Sequence, residues 1–187
     1  MVTLDCEPPG LTCGKPKLIP RVLPAEFEPT WSGDGKFIYF SDNEGIWREP
    51  AAGGQPVQIT RHGGQLQRES RDGRWLYYSK SLSGVWRTRL PAPITGADEE
   101  EKVINLPAEY VPVWALGTTE IFFFKSKSAS EPAAIFACNI ATRKIRRLTP
   151  ASEVRSIAVS PDQRELLYSQ LDHTGSNILV ANAGEFR

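Results

Sequence analysis

The sequence has no excess of charge of either sign, because its 22 lysine and arginine residues balance 22 aspartate and glutamate residues. A chain without a dominant sign of charge has no global field to attract nucleic acid or an anionic membrane. It also has no apolar run approaching the roughly 18 residues of a membrane span, and its start does not read as a signal peptide. The chain as given therefore predicts a cytoplasmic protein, or a periplasmic one if it is a fragment of a longer secreted or membrane-anchored parent.

Cysteine and histidine, the residues of most zinc sites, are scarce. The chain has three cysteines, Cys6, Cys13 and Cys138, and two histidines, with no Cys-x-x-Cys pair. A structural zinc site usually needs four such ligands in close pairs, so we predict neither a metal site nor a cofactor. Cys6 and Cys13 lie in a leader rich in proline and glycine, and the sequence leaves open whether they form a disulfide.

A sustained helical period of apolar residues is missing as well. Instead, 15 glycines and 15 prolines accompany short runs of β-branched and aromatic residues, which is the pattern of strands joined by turns. The clearest runs are FIYF, WLYY, IFFF and LLY, which begin at Phe37, Trp75, Ile121 and Leu166. We therefore predict an all-β fold.

These runs belong to a repeated unit. Asp34-Gly35 recurs 38 residues later as Asp72-Gly73, and Ser70, Ala115 and Ser160 follow one another at intervals of 45 residues. Repeats of about 40–50 residues with four strands each are typical of propeller blades. After residues 1–14, a leader or the remnant of a preceding blade, the repeat region 15–187 is predicted to contain copies at about 24–60, 61–106, 107–149 and 150–187.

The second strand of each copy indicates the architecture. FIYF, WLYY and IFFF do not alternate between apolar and polar residues, so both faces of these strands are expected to be buried. Antiparallel sheets that are buried on both faces are the stacked blades of a β-propeller. We predict about four such blades, in a partial or four-bladed propeller. Packing between blades is the role that we assign to the five tryptophans, Trp31, Trp47, Trp75, Trp86 and Trp114.

The two ends of the chain are interpreted together. Residues 16–20 match the fourth, outer strand of a copy, whereas the last copy ends near Asn182 without an outer strand. We expect the N-terminal strand to pair with the last blade and close a ring, since bare sheet edges invite aggregation. The alternative is that the chain is the C-terminal part of a larger propeller.

The repeat resembles the TolB-like, WD-like β-propeller family. The resemblance extends from about Lys15 to Asn182 and is carried by WSGDGKFIYFS, ESRDGRWLYYS and VSPDQRELLYS. The third copy departs from it at Gly117, and the fourth has Gln163 where glycine is expected. The resemblance implies a propeller fold. The family includes TolB itself, propellers of prolyl-oligopeptidase-type enzymes and sensor-like propellers of winged-helix regulators, so no residue-specific function carries over.

The candidate binding residues lie in loops that do not repeat. The chain has no G-x-S-x-G nucleophile motif, and we predict no enzyme. In an up-and-down blade, the loops after the second and fourth strands emerge on one face of the disc. That face is predicted to bring together Asp42, Glu44, Arg61, His62, Asp172 and His173.

Two other features are interpreted as structural. Gly53-Gly54 and Gly63-Gly64 precede strands and not helices, so they are turns and do not bind phosphate. The basic cluster Arg143–Arg147 falls on an outer strand, where charge blocks edge pairing. Because the cluster lacks interleaved aromatic residues, we predict that this chain binds no nucleic acid.

The sequence therefore predicts a non-catalytic β-propeller that binds a protein or peptide through its loop face. Two alternatives stay open at this stage. The chain could be the accessory propeller of a prolyl-oligopeptidase-type hydrolase, or the sensor domain of a winged-helix transcriptional regulator.

Overall fold

The computed structural model contains strands and no helix in the part of the chain that it describes. The residues described are 2–3, 6–7, 12–15, 17–18, 27–80, 84–90, 100–106, 113–172 and 175–182.

The strands of the repeat region form four antiparallel sheets, each a blade made of strands consecutive in sequence. Blade 1 contains β5 (Phe27–Trp31), β6 (Phe37–Ser41), β7 (Ile46–Pro50) and β8 (Val57–Gln58). Blade 2 contains β9 (Gln65–Glu69), β10 (Trp75–Ser79), β11 (Gly84–Arg89) and β12 (Glu101–Asn105). Blade 3 contains β13 (Trp114–Leu116), β14 (Glu120–Lys125), β15 (Ala134–Asn139) and β16 (Ile145–Pro150). Blade 4 contains β17 (Val154–Val159), β18 (Glu165–Asp172) and β19 (Gly175–Asn182). The prediction of an all-β propeller with about four blades is confirmed.

The turn from the first to the second strand is stabilised by a serine and an aspartate. The Ser32 hydroxyl donates to Asp34 Oδ1 at 2.7 Å and accepts the Phe37 N–H at 2.9 Å, while Asp34 Oδ1 also accepts the Lys36 N–H at 3.0 Å. Gly35 follows with a φ of 71°, a conformation that glycine adopts without strain. Equivalent bonds from a serine and an aspartate recur in the turns 70–75 and 160–165.

Three apolar clusters lie between consecutive blades. The first joins Tyr39 and Ile46 of blade 1 to Leu76 and Tyr78 of blade 2. A second cluster joins blades 2 and 3, and a third joins blades 3 and 4. Because alternate residues of each second strand point to opposite sides, one strand contributes to two clusters, which explains its unbroken apolar sequence.

The tryptophan prediction holds for some positions and is wrong for one. Trp114 is buried, and its indole N–H donates to the Ser79 hydroxyl of the preceding blade at 2.8 Å. Trp75 and Trp86 are half-buried against inter-blade clusters. Trp31, however, is 56% exposed. It lies on a first strand, at the end next to the turn, where the neighbouring blade does not cover it.

The N-terminal strands do not close a ring in the residues described. β4 (Lys17–Leu18) pairs with β1 (Val2–Thr3), and β2 (Cys6–Glu7) pairs with β3 (Thr12–Cys13). Lys17 and Leu18, the described part of the predicted strand 16–20, thus pair with a segment near in sequence, which closes a much shorter loop than pairing with the last blade would. β1 to β4 form no strand pair with blade 4 there.

Cys6 and Cys13 are directly opposite each other in the β2–β3 pair. Opposite residues of an antiparallel pair have Cα atoms about 4.5–5.5 Å apart, and disulfides span about 4.4–6.8 Å between Cα atoms. The backbone pairing is thus compatible with the disulfide that the sequence left open.

The two copies that depart from the repeat contact each other. Gln163 has a φ of 65°, close to that of the glycines at the same turn position. Its side-chain Oε1 accepts the Thr118 N–H of blade 3 at 2.9 Å, and its Nε2 donates to the Ser160 carbonyl at 3.2 Å. The side chain that replaces glycine in blade 4 therefore joins its turn to the shortened turn of blade 3.

At Gln163, we expect the backbone conformation and the side-chain hydrogen bond to affect the free energy of unfolding in opposite directions. Gln163→Ala keeps the left-handed backbone and loses the bond to Thr118, so it should destabilise the fold by about 1 kcal/mol. Gln163→Gly loses the same bond but relieves a backbone cost of about 1 kcal/mol, so its free energy of unfolding should stay near that of the wild type. Urea unfolding of both variants measures this, and a glycine variant about 1 kcal/mol more stable than the wild type would contradict the link.

The aspartates of the three turns predict a loss of stability in acid. Hydrogen bonds lower the pKa of each: first the Lys36 N–H for Asp34, and first the neighbouring serine hydroxyl for Asp72 and Asp162. A carboxylate with a lowered folded pKa stabilises the fold above its unfolded pKa of about 4, and this contribution disappears as the pH falls through the folded pKa.

We therefore expect the melting temperature to decrease when the pH is lowered below about 4. The triple variant Asp34→Asn, Asp72→Asn, Asp162→Asn keeps an acceptor oxygen at each turn but does not titrate. Its melting temperature should change less over the same range. If the melting temperatures of the two proteins decreased equally with pH, the aspartates of these turns would not be the cause of the acid destabilisation.

Candidate functional site

The strand order gives the propeller two unlike faces. The link face carries the loops between second and third strands and the connections between blades. The turn face carries the turns between first and second strands. Both names are used below in this sense.

Four of the sequence-predicted residues lie together on the link face. Asp42 Oδ1 accepts the N–H groups of Glu44 and Gly45 at 2.8 and 2.9 Å, which makes it a turn-forming residue. The Glu44 carbonyl accepts the Gly63 N–H at 3.0 Å and thereby holds the segment of Arg61 and His62 beside this turn. Glu44, Arg61 and His62 are exposed.

The other two predicted residues belong to blade 4. Asp172 ends β18, where it pairs with Gly175, and His173 lies outside the residues described. No strand pairing brings Asp172 to the Asp42–His62 group in the described ranges. A binding role for these six residues stays a prediction.

The clefts between blades open on the opposite side, the turn face. One cleft, of about 430 Å³, lies between blades 1 and 2, and is lined by residues that include Tyr39, Arg48, Glu69, Arg71 and Asp72. Another, of about 380 Å³, lies between blades 2 and 3, and is lined by residues that include Arg71, Trp75, Tyr77, Arg87 and Thr118. The two clefts share Arg71 and Asp72.

Both clefts contain the same arrangement of an aromatic ring, a tyrosine and an arginine. Arg48 is opposite Tyr39 on the neighbouring strand and places its guanidinium 4.6 Å from the centre of the Phe37 ring. Arg87 is opposite Tyr77 and lies 4.1 Å from the centre of the Trp75 ring. Cations over aromatic faces are held in place without losing their charge.

In the first cleft, Tyr39 is kept neutral. Burial raises the pKa of the Tyr39 hydroxyl far above its usual range, the nearby Glu69 carboxylate raises it further, and Arg48 acts in the opposite direction. Glu69 Oε2 is buried and has no hydrogen-bond partner in the part of the chain described. The first cleft therefore contains an acidic group as well as arginines.

In the second cleft, Arg87 is held by an acidic residue that joins two blades. Glu101 Oε2 accepts from Arg87 Nε at 2.7 Å, and Glu101 Oε1 accepts from Arg143 of blade 3. Burial alone would raise the pKa of Glu101, but the guanidinium groups of Arg87 and Arg143 outweigh it and leave that pKa below its usual value. Glu101 thus joins an arginine of blade 2 to an arginine of blade 3.

Arg71 differs from these anchored arginines. Its side chain is exposed and makes no hydrogen bond or ion pair within the described residues. It occupies the turn position that Gly33 holds in blade 1 and Pro161 in blade 4. The turn face therefore has a free cation between two clefts whose other arginines are fixed.

Sequence reasoning missed the turn face, although a signal was present. The runs IWR and VWR end in Arg48 and Arg87 at matching positions. Their contact with aromatic rings on the adjacent strand depends on the register between the two strands, and this register cannot be read from the sequence. Among the described residues, no group of three or more histidine, cysteine, aspartate or glutamate side chains is placed to hold a metal ion.

Comparison with solved structures identifies the fold. No family model and no curated protein matches the sequence. Among solved structures, TolB from Acinetobacter baumannii matches with a TM-score of 0.75 and 15% identity, over 95% of this chain and 46% of that one. The chain therefore has the fold of a TolB-type β-propeller and spans less than half the length of this TolB chain.

Two further structures show the range of proteins with this fold. An oligogalacturonate lyase from Vibrio parahaemolyticus matches with a TM-score of 0.61 and 14% identity, over 80% of this chain and 50% of that one. A nidogen/laminin complex matches with a TM-score of 0.66 and 13% identity, over 94% of this chain and 68% of that one. Since the fold serves different functions, the function must be argued from the site.

The Glu101 link predicts an ionic-strength effect on stability. Glu101→Gln leaves Arg87 and Arg143 beside each other without a counter-charge, so it should destabilise the fold by about 1 kcal/mol at low salt. The loss should shrink at 1 M salt, where charges are screened over about 3 Å. Glu153→Gln, a surface carboxylate whose nearest Arg155 nitrogen is 3.8 Å away, is the matched control with little effect. Equal effects of the two substitutions would contradict the link.

Proposed function

We propose that this chain is a non-catalytic propeller module that binds an extended, carboxylate-bearing segment of a partner protein on its turn face. The observation that carries the proposal is the exposed, unpaired Arg71 between two clefts. A free arginine pairs with a carboxylate through two parallel hydrogen bonds. The flanking clefts offer aromatic rings beside fixed cations, which suit the neighbouring side chains of the same peptide.

The arrangement of the clefts supports a peptide more than a small molecule. Two cavities of about 430 and 380 Å³ flank one residue and open along the same face. Small-molecule sites bury most of their ligand in one concavity, whereas an extended peptide contacts successive shallow sites. A peptide that occupied both clefts would pass Arg71, which lines each of them.

The non-catalytic part of the proposal is supported by the nucleophiles described. The Cys138 thiol is 1% exposed, and burial raises its pKa, which makes it a poor nucleophile. His62 is exposed, and no serine or cysteine is hydrogen-bonded to it among the described residues.

No helix in the described part of the chain is long and apolar enough to cross a membrane.

The test compares the same substitution on the two faces. Peptides selected from a random 12-residue display library against the full chain should be enriched in aspartate and glutamate. Arg71→Ala should weaken their binding at least tenfold, about 1.4 kcal/mol, and 0.5 M salt should weaken it as well. Titration calorimetry measures both effects.

Arg61→Ala is the matched control, because it removes the same side chain from the link face. It should leave the affinity unchanged, and circular dichroism should show both variants folded. If Arg61→Ala abolishes binding and Arg71→Ala does not, the link face binds and the proposed site is wrong. Selected peptides without acidic residues would overturn the ligand class.

A further inference from the structure

The last residue of the first strand differs in blade 2 from its counterparts in the other blades. These four residues are Trp31, Glu69, Leu116 and Val159. In every blade the residue is directly opposite an aliphatic side chain of the second strand. Three blades thus have an apolar side chain at this position, so the carboxylate of blade 2 is not a requirement of the strand itself.

The Glu69 carboxylate lies between the turns of blades 1 and 2, in the wall of the first cleft. A Cβ atom added at Gly73 would be 3.4 Å from Glu69 Oε1, and one added at Gly33 would be 3.8 Å from it. The other oxygen, Oε2, is buried without a hydrogen-bond partner in the part of the chain described. A buried acceptor without a donor costs free energy. The carboxylate is therefore positioned for a donor that the described residues do not provide.

The two arginines of the first cleft do not act as that donor. The Arg48 guanidinium is 4.6 Å from the centre of the Phe37 ring, and Arg71 is exposed. Neither forms an ion pair with Glu69 within the described ranges. Because no guanidinium neutralises this carboxylate in a direct pair, the cleft can bind a cation from a ligand.

The two clefts differ in charge because of this residue. The lining of the first has three carboxylates and two guanidinium groups, namely Asp34, Glu69 and Asp72 with Arg48 and Arg71. The lining of the second has one carboxylate and two guanidinium groups, and Leu116 replaces Glu69 there. An excess of one sign of charge in a cleft attracts the opposite sign. A cation is therefore favoured in the first cleft and an apolar side chain in the second.

The acceptors of the first cleft favour an ammonium over a guanidinium. A guanidinium pairs best with both oxygens of one carboxylate, whereas only Oε2 of Glu69 is buried without a partner. Burial above all, and then the Glu69 carboxylate, raises the pKa of the Tyr39 hydroxyl far above its usual range. This hydroxyl therefore stays neutral and can accept a second hydrogen bond. A lysine has three donors on a flexible aliphatic stem, and Leu90 of the lining offers that stem an apolar contact.

We propose, on the basis of the function proposed above, that the first cleft binds a lysine side chain of the peptide whose carboxylate pairs with Arg71. Glu69 selects the lysine, and Tyr39 provides a second acceptor. The second cleft, on the other side of Arg71, is lined by Trp75 and Leu116 among others. From blade 1 towards blade 3, the bound segment therefore presents a lysine, an acidic residue and an apolar residue.

The experiment combines one change in the peptide with one change in the protein. Selected peptides that lose affinity with Arg71→Ala should contain a lysine at a constant spacing from an acidic residue. Replacing that lysine by norleucine, which keeps the aliphatic stem without the ammonium, should weaken binding to the wild type about tenfold. The same replacement should have little effect on binding to Glu69→Leu, which has the residue of blade 3 at this position. Titration calorimetry of the four combinations measures the coupling.

Failure of the lysine subsite is distinguishable from failure of the proposed function. Peptides that depend on Arg71 but bind equally with lysine or norleucine would overturn the subsite alone. An equal loss in the wild type and in Glu69→Leu would also overturn it, because the lysine would then bind elsewhere. Arginine in place of lysine in the selected peptides would overturn the choice of an ammonium.

A small probe tests the subsite even if no peptide depends on Arg71. n-Butylammonium chloride added to the full chain should shift the amide NMR signals of Gly33, Glu69 and Gly73 until they saturate, whereas sodium chloride at the same concentration should not. Glu69→Gln, which keeps the size of the side chain without its charge, should abolish the response. Shifts that do not saturate, or that persist in Glu69→Gln, would overturn the proposal.

The melting temperature separates a binding role of Glu69 from a structural one. Since its buried oxygen has no partner among the described residues, Glu69→Leu should leave the melting temperature unchanged or raise it. A decrease of several degrees in both Glu69→Leu and Glu69→Gln would mean that the carboxylate stabilises the fold, against the proposal.

Discussion

The fold depends on apolar packing between consecutive sheets. No single blade buries both of its sides, and the second strands of blades 2 and 3 each contribute alternate side chains to two clusters. Tyr39 packs toward blade 2 and Tyr77 toward blade 3, while Leu76 packs back toward blade 1. Stability in such a chain is approximately a sum over blades and their interfaces, and a surface at the end of the series has an incomplete set of contacts.

Departures from the repeat mark the places where the blades have separate roles. Arg71 replaces the small or rigid residue of other turns and lies between two clefts. Gln163 replaces glycine and reaches the turn of blade 3. In both cases the backbone of the turn is kept, because the serine and aspartate bonds fix it. The side chain is then available for a contact that the other copies do not make.

The interfaces themselves change in character along the chain. Between blades 1 and 2 and between blades 2 and 3, tyrosines and arginines line clefts open to the turn face. Between blades 3 and 4, Phe122, Ile135 and Leu166 belong to one buried apolar cluster. The polar interfaces leave room for a ligand, and the apolar one favours another sheet.

The sequence by itself determined the all-β class, the repeat and the double burial of the second strands, because these follow from local patterns such as WSGDGKFIYFS. It located the Ser–Asp turns for the same reason. Only the tertiary structure decided that β4 pairs with β1, that Trp31 is exposed and that Ile178 is uncovered. It also decided that the clefts lie on the turn face, opposite the predicted loop rim. These features depend on strand register and on which surfaces meet, and contacts between residues distant in sequence leave no local pattern.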